Sequence, residues 1–324
     1  MQLKHCLAAF AQAAVLMAAC AAPAAAADTF PSHAVTVIVP YGAGGGTDAT
    51  ARAVARALSE HWGQPVVVEN VGGADGLIGT QKAARAAADG YTVLFSVPNL
   101  LLFKHLKAAK FDAPQQLDAV SLVAYYPVVV TASKASGVQT LADLAKKCAP
   151  GSKGNCSIGT GEQFSWLAGR AFLDAAGIEA TDIPYRGNAP MVNDVLGGHV
   201  TLGIGALGPV LPHHKSGAAR VLTSLEPQRI PSIPEVPTMT EAGLRAPAVG
   251  RPWYGLFAPK GMPPERLAEW EKALQVAARD KGVADSLALI NAVPTFSSPK
   301  TFATQVSQDE KIFDALLAKY PLPQ

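Results

Sequence analysis

Residues 34–62 read AVTVIVPYGAGGGTDATARAVARALSEHW, and this stretch decides the fold of the first part of the chain. The run from Ala34 to Val39 is apolar and rich in β-branched residues, which predicts a buried strand. The run from about Asp48 to His61 predicts a helix. The segment VPYGAGGGTD between them predicts a glycine loop that leads from strand to helix, so the stretch is typical of a βα unit.

Two further glycine loops occur, VGGADG at 71–76 and IGTGEQ at 158–163. A helix N-terminus offers unpaired N–H groups and the positive end of the helix dipole, so such loops are suited to anions. The first loop lacks the lysine of a phosphate loop and the glycine spacing of a dinucleotide site, and Asp48 would repel a nucleotide. A carboxylate is therefore favoured over a phosphate. The alternative is a tight turn in which Thr47 or Asp48 merely caps the helix.

The βα pattern repeats in the first half of the chain, through PVVVEN and YTVLFSV. A long β-rich run, AVSLVAYYPVVVTAS, then predicts a crossing into a second domain, and PWYGLFAP predicts the return. We therefore predict an α/β protein with two domains, the second inserted into the first. The predicted first domain holds residues 28–127 and 252–324, and the second holds 128–251.

The N-terminus has the pattern of a secretory signal peptide. Lys4 and His5 precede an uncharged apolar stretch, and APAAAAD follows, which predicts cleavage after Ala27 and a periplasmic protein. The alternative is a lipoprotein acylated at Cys20, which the methionine three residues before it disfavours. Without residues 1–27 the chain holds 26 basic and 25 acidic residues, which excludes binding to nucleic acid through a strongly basic surface.

The predicted mature chain keeps two cysteines, Cys148 and Cys156, in KKCAPGSKGNC. In an oxidising compartment this spacing predicts a disulfide in a surface loop outside the cleft, because zinc needs more ligands than the loop offers. His213 and His214 are adjacent, and no other ligand follows at a suitable spacing. We predict a solvated loop there, and neither a metal nor a cofactor.

Several motifs in order resemble one family, the periplasmic solute receptors of tripartite tricarboxylate transporters, often called Bug proteins. They are FPSHAVTVIVPYGAGGGTDATARAVA, GQPVVVENVGGADGLIGTQKAARAAADGYTVLFS, IPYRGNAPMVNDVLGGHV, IPEVPTMTEAG and WYGLFAPKGMP. The resemblance covers nearly all of the predicted mature chain. It implies the two-domain fold of a periplasmic binding protein, type II-like and closing as a Venus flytrap around a ligand cleft. It also implies a small carboxylate ligand and delivery to membrane permease subunits; we expect a monomer.

Carried over position by position, the resemblance implies a set of ligand-binding residues on the three loops and the strands beside them: Tyr41, Gly45, Gly46, Thr47, Asp48, Gly73, Ala74, Asp75, Ser96, Thr160, Glu162, Gln163, Phe164, Ser165, Arg186 and Gly205. The chain departs from the family where Glu162, Gln163 and Phe164 replace small residues, and where Gly205 stands at a frequent Asp. We therefore predict that the second domain determines which ligand is bound.

Individual residues leave alternatives open. Asp75 precedes a helix and is more typical of a cap than of a ligand contact. Glu162 is suited to a ligand hydroxyl or ammonium group, or to solvent. Arg186 is suited to a second ligand carboxylate or to an ion pair between the domains. Phe164 and Trp166 are candidates for stacking on a ligand, and core packing is favoured for Trp166.

No nucleophile, base and orienting group can be assembled from neighbouring motifs, so we predict a binding protein and no enzyme. The alternative is an exported enzyme acting on a carboxylate, with Asp48 or Glu162 as general base. A receptor that reports ligand occupancy to a signalling system would use the same pocket.

Overall fold

The computed structural model describes residues 30–106, 111–151, 156–185, 187–247 and 249–322. The predicted leader with Cys20 and the predicted site residue Arg186 lie outside these ranges. The strands are β1 Val35–Val39, β2 Val66–Asn70, β3 Thr92–Ser96, β4 Leu117–Tyr125, β5 Val128–Ser133, β6 Ser157–Thr160, β7 Thr181–Pro184, β8 Leu202–Ala206, β9 Ala219–Ser224, β10 Trp253–Pro259 and β11 Val293–Pro294.

The α-helices alternate with many of these strands, as the βα pattern predicts. They are α1 Gly46–Trp62, α2 Leu77–Ala84, α3 Ala113–Gln116, α4 Leu141–Lys147, α5 Gln163–Ala176, α6 Asn188–Gly197, α7 Leu207–Lys215, α8 Pro264–Ala277, α9 Lys281–Leu289 and α10 Pro299–Lys319. Short 3₁₀ segments occupy Ala74–Gly76, Pro98–His105 and Lys134–Ser136.

The first sheet has the strand order β11-β4-β10-β3-β1-β2. Strand β1 runs parallel to β2 and β3, whereas β10 runs antiparallel to β3 and β4. Parallel neighbours need a long crossover, and here helices α1 and α2 supply it. The carboxyl ends of β1, β2 and β3 therefore meet at one edge, which is where α/β proteins bind ligands.

The second sheet has the order β7-β6-β8-β5-β9. Strand β6 runs parallel to β7 and β8, and β5 runs antiparallel to β8 and β9. The third glycine loop follows β6, and Gly205 lies near the end of β8, so both lie at the carboxyl edge of this sheet. The two sheets with their helices form two α/β domains, which confirms the predicted fold class.

Two segments of the chain cross between the sheets, one between β4 and β5 and one before β10. They run side by side, since the Tyr126 N–H donates to the Pro252 carbonyl at 3.0 Å. The sheet membership of β4, β5 and β10 places both crossings where the β-rich runs predicted them. The individual boundary residues stay a prediction, because strand pairing does not fix them.

Helix α10 contacts both domains, although the sequence predicted it only as part of the first. Asp309 accepts a hydrogen bond from the indole Nε1 of Trp253 at 2.8 Å, beside β10. Phe313 packs edge-on against Phe164 of α5, with ring centroids 6.0 Å apart. Just beyond the helix, the Tyr320 hydroxyl lies 2.7 Å from the carboxylate of Asp174 on α5. An amphipathic pattern shows that one face is buried, but not against which domain.

Cys148 and Cys156 form the predicted disulfide. It lies between the end of α4 and the start of β6, at the opposite end of β6 from the glycine loop, which agrees with a place outside the cleft. The carbonyl of Cys148 accepts the N–H of Glu179, and that of Cys156 accepts the N–H of Thr181. Backbone hydrogen bonds thus join both cysteines to the segment from Glu179 to Thr181, and the disulfide joins the cysteines to each other.

The solvated loop predicted at His213 and His214 was wrong, because both residues are helical. Both lie in the last turn of α7, where cationic side chains suit the helix dipole. His214 is buried and its Nε2 lies 2.9 Å from a carboxylate oxygen of Glu235. Within the ranges that the structure describes, no group of three or more metal-ligating side chains occurs, and no helix is long and apolar enough to cross a membrane.

Candidate functional site

The first glycine loop delivers the N-terminus of α1 to the edge of the first sheet. Helix α1 begins at Gly46, and Gly45 before it makes no side-chain cap. The first-turn N–H groups of a helix have no partner within the helix, so they are available to an anion. A Cβ at Gly46 would lie 2.7 Å from the hydroxyl oxygen of Tyr254, so only glycine allows this close approach.

Asp48 stabilises the first glycine loop through hydrogen bonds. Its carboxylate accepts the N–H of Gly44 at 2.9 Å, Nε of Arg52 at 3.0 Å and Nδ2 of Asn70 at 2.9 Å. Burial alone would raise its pKa, but Arg52 and these donors hold the pKa below its usual value. The carboxylate is thus satisfied within its own domain. We therefore correct the sequence interpretation: Asp48 shapes the loop, and its neutralised charge does not by itself exclude a phosphate.

The second glycine loop turns Asp75 toward the other domain. Four consecutive residues, from Gly73 to Gly76, have positive φ values, including Ala74 at 46° and Asp75 at 53°. This backbone is costly for residues with a Cβ. Asp75 accepts a hydrogen bond from Nδ2 of Asn99 at 2.6 Å and from the backbone N–H of Gln163 at 3.3 Å.

The favoured interpretation of Asp75 as a local cap was therefore wrong. The residue before α2 is Gly76, which has no side chain, and Asp75 instead reaches the first turn of α5 across the cleft. Asn99, which is fully buried, accepts the N–H of Phe164 at 2.8 Å. Helix α5 begins after Glu162, whose side chain makes no capping bond. Asp75 and Asn99 of the first domain thus satisfy N–H groups at the N-terminus of a helix in the second.

Glu162 lies among three tyrosines that come from separate parts of the chain. Burial, and then the charge of Asp75, raises the pKa of Glu162 to about 7. The charge of Glu162 in turn contributes, after burial, to raising the pKa values of Tyr41, Tyr126 and Tyr254. The rings of Tyr126 and Tyr254 stack with centroids 4.6 Å apart. Burial also raises the pKa of Asp75, to about 6. Glu162 thus lies among these tyrosines and keeps intermediate exposure.

Several buried polar atoms around this cluster form no well-aligned hydrogen bond with a described residue, although Ser96 lies near Tyr41 and Ser165 near Glu162. They are the hydroxyl oxygens of Tyr41, Ser96 and Ser165 and the amide oxygens of Gln163 and Asn188. Buried polar groups are rarely left unpaired, so these atoms are available to a ligand or water. Glycine at 205 lets the Asn188 amide oxygen approach the backbone, where a Cβ would displace it.

The remaining predicted residues divide between cleft and core. Gly73 and Ala74 are exposed on the second loop, and Thr160 is buried at the end of β6. Phe164 is 1% exposed and its ring packs on α10, so packing, not ligand stacking, is its role in this structure. Trp166 keeps intermediate exposure, so the core packing favoured for it is incomplete.

Sequence reasoning missed four residues of the cluster: Asn99, Tyr126, Asn188 and Tyr254. Each had a weak signal, because each lies within three residues of an end of an identified element. Asn99 comes after β3, Tyr126 and Tyr254 lie at the two crossings, and Asn188 opens α6. Polar residues at these positions are brought to the two facing sheet edges by the topology alone.

Comparison with known proteins identifies the family. The sequence model described as tripartite tricarboxylate transporter family receptor matches residues 50–318. The chain belongs to this family. Among relatives in the family, the protein BugT of Bordetella pertussis is 35% identical over 290 residues, which cover 88% of this chain and 88% of BugT. The resemblance predicted from the motifs is thus confirmed.

Solved structures agree with this family membership. MatC from Rhodopseudomonas palustris with bound malate has a TM-score of 0.80 and 25% identity, covering 89% of this chain and 100% of MatC. A second R. palustris protein, determined with adipate, has a TM-score of 0.80 and 28% identity, covering 89% of this chain and 97% of its own. The chain is therefore a solute receptor of this family in fold and sequence.

Proposed function

We propose that this receptor binds a small organic carboxylate between its two domains and delivers it to the membrane permease subunits of a tripartite tricarboxylate transporter. The family and the malate and adipate bound by its structural relatives support this ligand class. We also propose that residues 1–27 are removed on export to the periplasm. The domains comprise residues 28–127 with 252–324, and residues 128–251.

The observation that carries the proposal is the uncapped N-terminus of α1 at the shared edge of β1, β2 and β3. A carboxylate there accepts the N–H groups of Gly45, Gly46 and Thr47, and the Thr47 hydroxyl adds a fourth donor. Tyr41 lies on the same loop and Ser96 ends β3, and their hydroxyls are close to each other. Asp48 keeps the loop in shape through Gly44, without competing for these donors.

Calorimetry with a panel of small carboxylates tests this assignment. Losing a charge-assisted hydrogen bond costs about 1.5–3 kcal/mol, so Thr47→Ala should weaken binding roughly ten- to a hundredfold. Gly46→Val should weaken it more, because the new side chain meets the Tyr254 hydroxyl. Thr304→Ala, at an exposed position of α10, is the matched control. Thr47→Ala binding as tightly as the parent, or inorganic phosphate binding better than every carboxylate, would contradict the proposal.

A second function, an exported enzyme acting on a carboxylate, is favoured by one observation. A carboxyl group whose pKa is about 7, as for Glu162, suits a general base at neutral pH. Asp48, the other candidate, is committed to Arg52 and Gly44. Incubating a bound ligand with the protein and recovering it distinguishes the two functions, since a receptor returns the ligand unchanged. A signalling receptor would also return it, and would act without the permease.

A further inference from the structure

Two carboxylates from opposite domains face each other in the cleft. Asp75 reaches the backbone N–H of Gln163, the residue that follows Glu162, at 3.3 Å. Their charges are close enough to repel, since the charge of Asp75 raises the pKa of Glu162 after burial. Among the described residues, neither forms an ion pair with a basic side chain. Within the part of the chain that the structure describes, the two acids therefore place negative charge at this end of the cleft.

The anion position at the start of α5 is already filled by the protein itself. The Asp75 carboxylate accepts the N–H of Gln163, and the Asn99 amide oxygen accepts the N–H of Phe164. These are the first-turn donors with which a helix N-terminus binds an anion. A second ligand carboxylate at this end would lose these donors to Asp75 and meet the charge of Glu162 as well.

Other groups around the two carboxylates independently indicate a ligand that donates hydrogen bonds. Ser165 is 0% exposed and its hydroxyl lies within reach of Glu162, while no described residue donates a hydrogen bond to its oxygen. Gln163 adds an unpaired amide oxygen, which can only accept. An ammonium group supplies three donors and a positive charge. The tyrosine rings near Glu162 add a surface to which cations are attracted.

We propose that the ligand is a short zwitterion, with its carboxylate on the first glycine loop and its ammonium group between Asp75 and Glu162. This proposal rests on the proposed function, because it assumes that the ligand carboxylate binds at the first glycine loop. Tyr254 links the two ends of the site, since its hydroxyl lies against Gly46 and its ring stacks on Tyr126, which lies beside Glu162. Probes of two chain lengths therefore test the distance between the charged groups.

Isosteric probes test the proposal on the unmodified mature protein. Succinate, β-alanine and butyrate share one carboxylate and differ only in the far group, which is a carboxylate, an ammonium or a methyl group. Adipate, 5-aminopentanoate and hexanoate form a longer set. We expect the ammonium member of at least one set to bind at least about tenfold more tightly than both partners in calorimetry. A dicarboxylate that binds more tightly than its ammonium partner in both sets overturns the zwitterion and leaves the carboxylate receptor intact.

Variants distinguish loss of the ammonium contact from a general loss of stability or of charge. Glu162→Gln should reduce the ratio of β-alanine affinity to butyrate affinity by about tenfold. Glu265→Gln, at an exposed position in α8, is the control for loss of one acid. Circular dichroism melting establishes that each variant is folded. A preference unchanged in Glu162→Gln would refute the role of this residue, and failure of every carboxylate to bind would refute the proposed function itself.

Discussion

Replacing Glu162 by Gln should change how the stability of the ligand-free protein depends on pH. Burial, and then the charge of Asp75, raises the pKa of Glu162 from 4.5 to about 7. Between these values the folded protein holds a proton that the unfolded chain has released. The free energy of unfolding therefore falls as pH rises through this window. Gln cannot ionise, so the variant does not carry this loss.

The expected magnitude follows from the shift in pKa. One unit corresponds to about 1.4 kcal/mol, so a change from 4.5 to about 7 corresponds to about 3 kcal/mol for this group. The variant should therefore gain about 3 kcal/mol relative to the parent on going from about pH 4 to about pH 8. Asp75, with a pKa of about 6, contributes in the same direction and remains in both proteins.

Urea unfolding at both pH values, followed by circular dichroism, measures this difference. The protein must first be unfolded and refolded to remove any ligand, because a bound cation would stabilise the ionised form. Glu265→Gln, which removes an exposed carboxylate, should leave the pH profile parallel to that of the parent. Parallel profiles for Glu162→Gln and the parent would refute the assignment of a buried, protonated Glu162.

Three further predictions concern other parts of the structure. Replacing both Cys148 and Cys156 by Ser should lower the free energy of unfolding by about 2–3 kcal/mol without changing ligand affinity; thiol titration of the unfolded, unreduced parent should find no free thiol. Asp48→Asn should weaken carboxylate binding about tenfold in calorimetry, because Arg52 loses its charged partner and the Gly44 turn loosens. Asn99→Ala should accelerate hydrogen exchange at Phe164, whose N–H loses its acceptor, and unchanged exchange would contradict the cap between domains.

The parts of the fold that local patterns determine were predictable. The strand and helix around the first glycine loop differ from the prediction by one residue at the start of the strand, two at the start of the helix and one at its end. The β-rich runs around Tyr126 and Trp253 indicated the two crossings. In each case the apolar pattern and the glycine or proline residues that end it lie within a few positions of one another. The secondary structure can therefore be predicted from the local sequence.

The electrostatics of the site could not be predicted, because its partners are distant in sequence. Asp75 precedes a helix, which is typical of a cap, yet positive φ values direct its carboxylate to Gln163, 88 residues away. Phe164 was a candidate for ligand stacking, but α10 covers its ring. A residue type gives the possible chemistry of a side chain, whereas the tertiary structure selects its partner.

The same contacts explain how a ligand can favour closure of the domains. Direct bonds from Asp75 and Asn99 to the start of α5 hold the domains together, but they bring the charge of Asp75 toward Glu162. Water would solvate these groups if the domains separated, so the bonds alone give little net gain, and the repulsion opposes closure when Glu162 is ionised. A cation between the carboxylates converts that repulsion into attraction only when the domains are closed. Because a ligand shifts an equilibrium by its difference in affinity for the two states, the acidic pair couples ammonium recognition to closure.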